Sequence, residues 1–278
     1  MKDNFRNQKE ITVGYLNAGI EKSHKGFKRL TVLGILAGMF IAFGASSSMV
    51  ASHAIENYGV AKIVAGCVFP VGLMLIIMVG GELFTGDCLM VMGTWHKEYD
   101  KWVVTKKLTV IWVSNFIGAL IMVLIVNLSG QLDISYGLLG AYTIKVAYGK
   151  VTLTFLQAFV SGIGCNIIVC AAMLMAYSAT DTTGKLLGAF FPIMAFVVSG
   201  FEHCVANMYY ICAGLLAMMN DSYKEMAMET YHLTAEQLEI LNVQNLFMNL
   251  IPVTLGNIVG GMIFIGLPIY LLNIKFAK

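Results

Sequence analysis

The sequence predicts an all-α integral membrane protein with six spans, built as two three-span halves of opposite orientation. Three observations predict it. Of 278 residues, 58% are hydrophobic and 12% are charged, against about 25% charged in a soluble domain. The apolar residues gather into long runs, as they must where lipid replaces water. The polar interruptions of those runs recur in the same order in both halves. Length alone would allow one or two soluble domains, but six spans leave no room for them, so residues 1–278 are read as one transmembrane domain.

The spans are expected at residues 30–51, 61–92, 108–128, 153–177, 186–219 and 246–274. A helix needs about 20 residues to cross the hydrocarbon core. The second and fifth runs are too long for one plain crossing, and both carry polar residues in the middle. Residues 1–29 precede the first span, and residues 4–26 show weak helical periodicity through Ile11, Val13, Leu16 and Ile20, which suggests an amphipathic surface helix. No cleavable signal peptide is visible, because the first apolar run follows a long polar stretch. In the outer connection 221–244, Thr234 followed by Glu236 and Gln237 suggests a short capped helix. The 28 glycines suit membrane helices that pack closely through small residues.

Lysine and arginine set the orientation. With both termini on one side, that side holds Lys2, Arg6, Lys9, Lys22, Lys25, Lys28, Arg29, Lys97, Lys101, Lys106, Lys107, Lys185, Lys275 and Lys278. The other holds only Lys62, Lys145, Lys150 and Lys224. Both ends should therefore be cytoplasmic, in the cell (inner) membrane. The net charge of +2 follows the membrane and points to no nucleic acid. Cys67, Cys88, Cys165, Cys170, Cys204 and Cys212 all fall in apolar runs without a CxxC pair, so they read as small buried hydrophobes. No cofactor or metal site is expected.

The two interruptions carry the chemistry. Phe69-Pro70 and then Gly80-Gly81-Glu82 in the second run answer to Phe191-Pro192 and then Gly200-Phe201-Glu202 in the fifth. Asn115-Phe116-Ile117-Gly118 in the third run answers to Asn257-Ile258-Val259-Gly260 in the sixth. Three spans per half make this an inverted repeat, in which paired glycine-interrupted helices point to a transport site. Residues 80–87 set Glu82, Thr85 and Asp87 inside an apolar run, and residues 200–207 set Glu202, His203 and Asn207 there. Each charge at this depth costs at least about 2.5–3.5 kcal/mol on insertion scales, so these groups must face partners or water. Glu82 and Glu202 are open to two readings: a polar latch accepting hydrogen bonds from broken-helix amides, or a functional pair. His203 is the one histidine inside a span, and its unperturbed pKa lies near neutrality.

At these residues the chain resembles the formate–nitrite transporter family. Gly80-Gly81-Glu82-Leu83-Phe84-Thr85-Gly86 resembles the family's first motif, and residues 162–170, from Gly162 through Asn166 to Cys170, its second. Gly200-Phe201-Glu202-His203 with Ala206-Asn207-Met208 resembles its histidine segment. Ile251-Pro252-Val253-Thr254 before Gly256-Asn257 resembles its last-helix pattern. The match runs over nearly the whole chain in order; Ala171-Ala172 after Cys170 departs from it mildly. The resemblance implies an aquaporin-like fold, a homopentamer with one pore per protomer, and small monovalent anions as substrates: formate, nitrite or hydrosulfide, with acetate or lactate in some members. It puts the pore histidine at His203, the flexible-loop threonine at Thr85 and a pore asparagine at Asn166. The outer-vestibule lysine falls on Lys150 and, by a looser match, the inner one on Lys22. The constriction falls on Phe69, Leu73, Leu83, Phe84, Val169 and Phe196. Without the resemblance those six would read as ordinary core, and Lys150 equally as a snorkelling lysine opening the fourth span.

On this reading Lys150 and Lys22 would gather anions at the mouths, and His203, Thr85 and broken-helix amides would hydrogen-bond or protonate them inside. Other classes lack their marks. An aquaporin would show paired Asn-Pro-Ala motifs, an ammonium channel two in-span histidines, and an intramembrane protease an H-E-x-x-H or Gly-x-Ser-x-Gly.

Overall fold

The computed structural model describes residues 5–277. Lys2 and Lys278, which entered the charge count, lie outside the described residues. In chain order the helices are α1 (Gln8–His24), α2 (Phe27–Ser52), α3 (Tyr58–Val68), α4 (Val71–Val79), α5 (Phe84–Asp87), α6 (Val91–Trp95), α7 (Lys101–Leu128) and α8 (Leu138–Val151). Then come α9 (Phe155–Ser178), α10 (Thr182–Ser199), α11 (Cys204–Ala217), α12 (Asp221–Tyr231), α13 (Ala235–Glu239), α14 (Val243–Val259) and α15 (Leu267–Tyr270). Among the described residues, six helical stretches are long and apolar enough to cross a membrane: Phe27–Ser52, Tyr58–Val79, Lys101–Leu128, Phe155–Ser178, Thr182–Ser199 and Val243–Lys275. The last of them changes to π-helical bonding at Gly260–Gly266.

Two helix pairs make the most extensive contacts, α2 with α7 and α9 with α14, and they occupy matching places in the two halves. Glycine makes both possible. A Cβ on Gly38 or Gly118 would strike the backbone of the facing helix in the first pair, and one on Gly162 or Gly256 would do so in the second. Close backbone approach of this kind gives the van der Waals contact that holds helices together in lipid.

Helical bonding stops at Val79 and resumes at Phe84, and again stops at Ser199 and resumes at Cys204. Each gap opens on a glycine at positive φ, Gly80 at +106° and Gly200 at +73°, where a side chain is disfavoured. The two Phe-Pro pairs behave differently. Phe69-Pro70 separates α3 from α4, whereas Pro192 lies inside the continuous α10.

Three details correct the sequence reading. The N-terminal helix forms, but its apolar residues are not gathered on one side. It buries Thr12, Leu16 and Gly19 against the protein, packing on residues 88–95, α9 and the chain end. Arg6 donates to the carbonyls of Tyr177 and Ala179, and Asn273 Nδ2 donates to Thr12 Oγ1 at 3.0 Å. The two ends thus share one face. The connection 129–152 holds an unforeseen helix, α8. Lys150 therefore ends α8 and does not open the fourth span, which begins at Phe155 behind a capping box of Thr154 and Gln157. The expected Thr234 cap does form, with Gln237 as its partner.

Candidate functional site

The two gaps are held by the same device. Asn115 on α7 donates from Nδ2 to the carbonyls of Gly34 (2.8 Å) and Glu82 (2.9 Å) and accepts on Oδ1 from the Phe84 amide at 3.0 Å. Asn257 on α14 donates to the carbonyls of Gly162 (2.8 Å) and Glu202 (3.0 Å) and accepts from the Cys204 amide at 2.9 Å. Both asparagines are fully buried. A broken helix leaves backbone groups without partners, and in an apolar interior each must be satisfied. One asparagine per gap supplies a donor pair and an acceptor at that point. The repeat pairing Asn115 with Asn257 was visible in the sequence; their role was not.

Each gap also carries a buried glutamate on a lysine. Lys150 meets Glu202 at 2.5 Å, and Asn207 Nδ2 donates to the other Glu202 oxygen at 2.6 Å. Asn207 also donates to Asn249 Oδ1 (2.8 Å), and Asn249 donates to the Lys150 carbonyl (2.8 Å), closing a ring. On the other face Lys22 pairs with Glu82 at 2.7 Å and with Asp87, while Lys25 takes the second Glu82 oxygen at 3.0 Å. Burial of the Lys22 ammonium works against its charge, and the Asp87 and Glu82 carboxylates outweigh it, holding its pKa above the usual lysine value. The glutamates therefore accept from lysines and an amide side chain, not from broken-helix amides as expected. The amides of Phe84, Cys204 and Ala206 already have acceptors. Asp87 and Lys25 were missed as site residues. A repeated spacing was the available signal: Lys22 precedes Gly34 by twelve residues, and Lys150 precedes Gly162 by twelve.

Between the gaps, His203 and Thr85 meet. His203 is the N-cap of α11, and its Nδ1 accepts from the Ala206 amide at 3.1 Å. Its Nε2 lies 3.0 Å from Thr85 Oγ1. An Nδ1 that accepts carries no proton, so a neutral ring must carry its proton on Nε2 and donate it to Thr85. The Thr85 hydroxyl proton is then left to point elsewhere. A second proton on the ring would have to displace the Ala206 bond.

A cavity of about 310 Å³ opens from the face bearing α8 and ends on Phe69, Phe196 and His203. Phe69 and Phe196 meet edge to face with centroids 5.5 Å apart, and Phe196 lies 5.9 Å from the His203 ring. Two expected constriction residues thus close the cavity floor beside the histidine. Leu73, Leu83, Phe84 and Val169 are buried and do not line this cavity; Phe84 instead borders a second cavity of about 440 Å³ with Trp112, Thr254 and Ile258. Asn166 is not exposed to the cavity either. It is fully buried, and its amide group bonds the carbonyls of Thr85 (3.1 Å) and Asn257 (2.6 Å), bracing one broken helix against the opposite half.

The family model described as Formate/nitrite transporter matches residues 9–271. A relative described as a probable formate transporter, from Methanothermobacter thermautotrophicus, is 38% identical over 85% of this chain and 86% of its own. A solved pentameric formate channel with formate bound is 33% identical, covers 91% of this chain and 98% of its own, and superposes with a TM-score of 0.78. The aquaglyceroporin from Plasmodium falciparum shares the fold alone, at 12% identity and a TM-score of 0.52 over 89% of this chain and all of its own. A family match over nearly the full length, with six helical stretches able to cross a membrane, decides the matter: the chain is a multi-pass membrane protein that belongs to the formate/nitrite transporter family.

Proposed function

We propose that this protein is a channel for small monovalent anions, with formate the first candidate and nitrite and hydrosulfide next. The conducting path runs within each protomer. The observation that carries this reading is His203 in the lining of the outer cavity, hydrogen-bonded to the fully buried Thr85 between two charge-paired helix breaks. Moving a bare carboxylate into an apolar constriction costs several kcal/mol. A hydroxyl whose oxygen is already occupied by His203 Nε2–H has its own proton aimed at a passing ion, and that donor offsets part of the cost. Because protonating Nδ1 would break the Ala206 bond, His203 acts by orienting Thr85 and by hydrogen bonding, not by handing over a proton. The protein works by passage and makes no covalent change in the ion. The relatives named above support formate as substrate and a homopentamer as the assembly. The lysine bias supports a cell (inner) membrane location with both termini in the cytoplasm.

The test is flux in proteoliposomes. Formate, nitrite, hydrosulfide, acetate and lactate are offered to wild type, His203→Asn and His203→Phe. Formate should permeate faster than lactate. His203→Asn, which keeps a donor and cannot titrate, should retain the wild-type pH profile, and His203→Phe should lose flux. A His203→Asn channel whose flux no longer responds to pH would replace hydrogen bonding with proton exchange. No anion flux at all in wild type would end the channel reading.

A further inference from the structure

We infer that anions are gathered at the outer mouth by Lys145 and Lys62, and that Lys150 serves the fold. This rests on the anion-channel reading above. Three lysines line the outer cavity: Lys62, Lys145 and Lys150. Their partners differ in kind. The Lys150 ammonium sits 2.5 Å from the buried Glu202 carboxylate. A unit negative charge at that distance leaves a dipole, whose field dies away much faster with distance than that of a free lysine.

Lys145 lies instead over the ring of Tyr231, 4.5 Å from its centroid, with Tyr142 at 5.7 Å. Lys62 lies over Tyr58 at 5.6 Å. An aromatic face attracts an ammonium through its quadrupole. It carries no net charge, so it fixes the lysine and leaves the positive charge whole. Among the described residues neither Lys62 nor Lys145 makes an ion pair. Glu56 borders the same cavity without pairing with either. Among the residues that line the cavity, two open lysines stand against one carboxylate, so the lining itself is net positive. A concave site of one sign raises the local concentration of the opposite ion.

The two lysines are also well placed. Lys62 Nζ lies near Gly200, 3.5 Å from where a Cβ would stand, so its charge sits at the lip of the second gap and close to His203 in the chain. Lys145 is exposed on α8, and Tyr231 at the end of α12 holds it from the other side. The long outer connection thereby supplies one wall of an aromatic seat for a free cation.

The experiment measures initial formate flux into proteoliposomes across substrate concentration and ionic strength. Monodispersity and Tm are recorded for every variant. The double variant Lys62→Gln/Lys145→Gln should lose about tenfold at low formate and low salt, the lower end of focusing effects, with saturating flux unchanged. The gap should close as the Debye length falls from about 30 Å at 0.01 M to about 3 Å at 1 M salt. Lys145→Arg should behave as wild type, and Glu56→Gln should raise low-substrate flux. Lys150→Gln should lower Tm and reduce flux by the same factor at every concentration. Double-variant flux equal to wild type at low substrate and low salt would overturn the inference, as would a salt-dependent, low-substrate loss confined to Lys150→Gln. Wild-type liposomes without formate flux would overturn the channel reading and this inference with it.

Discussion

The two helix breaks are one construction used twice, and their differences are more informative than their likeness. Glu82 and Glu202 each sit on a lysine, and Asn115 and Asn257 tie each gap with the same three bonds. What both halves retain is what any broken helix in an apolar interior needs. Of the six positions at which residues 80–87 and 200–207 differ, three change the chemistry. Leu83 faces His203, Thr85 faces Val205, and Asp87 faces Asn207 across the repeat, each pair 120 residues apart. The first two substitutions put one polar pair in the centre. The third gives one face a second buried carboxylate, and that face alone brings a second lysine, Lys25, to its glutamate.

The largest effect should come from forcing the second gap to copy the first. Asn207→Asp places a second carboxylate beside Glu202, where Lys150 is the one lysine. An uncompensated buried charge costs about 3–5 kcal/mol, so the variant should fail to yield a monodisperse protein or should melt far below wild type. A normal melting curve would show that the second gap tolerates a second charge with a single lysine to meet it.

Next in size is the latch. Asn257→Ala and Asn115→Ala each strand two buried backbone groups of the gap, since the third partner, Gly162 or Gly34, lies inside a continuous helix. At about 1–3 kcal/mol for an unsatisfied group, each should lower stability by on the order of 3 kcal/mol, and by similar amounts. Thermal unfolding in detergent measures both. A large loss for one and none for the other would mean that the shared geometry is not shared energetics.

The central pair should affect passage more than folding. Thr85→Val makes position 85 match its repeat partner Val205. It should cut formate flux about tenfold, a barrier change of about 1.4 kcal/mol, with Tm close to wild type. Unaltered flux would remove the hydroxyl from the proposed path. The smallest effect belongs to Asp87→Asn, which makes the first gap like the second. Glu82 keeps Lys22 and Lys25, so flux should stay within about twofold of wild type, a barrier change of about 0.4 kcal/mol. A collapse of expression would instead make Asp87 the main anchor of Lys22.

The spans, the two gaps, the repeat and the histidine were legible because each is local. A span is a run of apolar residues, a gap is a glycine beside an acid, and the repeat is the same order of residues met twice. What stayed hidden depends on distance along the chain or on weak hydropathy. Lys150 and Glu202 are 52 residues apart, and no local pattern says that one neutralises the other. Asn166 reads as a pore amide until its partners are seen to be two backbone carbonyls from far segments. Helix α8 mixes Tyr142, Lys145, Tyr148 and Lys150 into a short run, too polar to stand out as a span. Lys62 and Lys145 were counted for orientation alone; the Tyr231 seat of Lys145 comes from the fold, whereas Tyr58 stands four residues before Lys62 on one helix and was a readable pair.

The Thr85–His203 contact has a consequence for how such a chain can arise. Two identical halves related by a twofold axis must present the same side chain at both mirror positions, so they build either two hydroxyl–imidazole pairs or none. This protein has one, with Leu83 and Val205 occupying the mirrored places. A single polar stop flanked by apolar residues is therefore open only to a chain in which the halves are encoded separately.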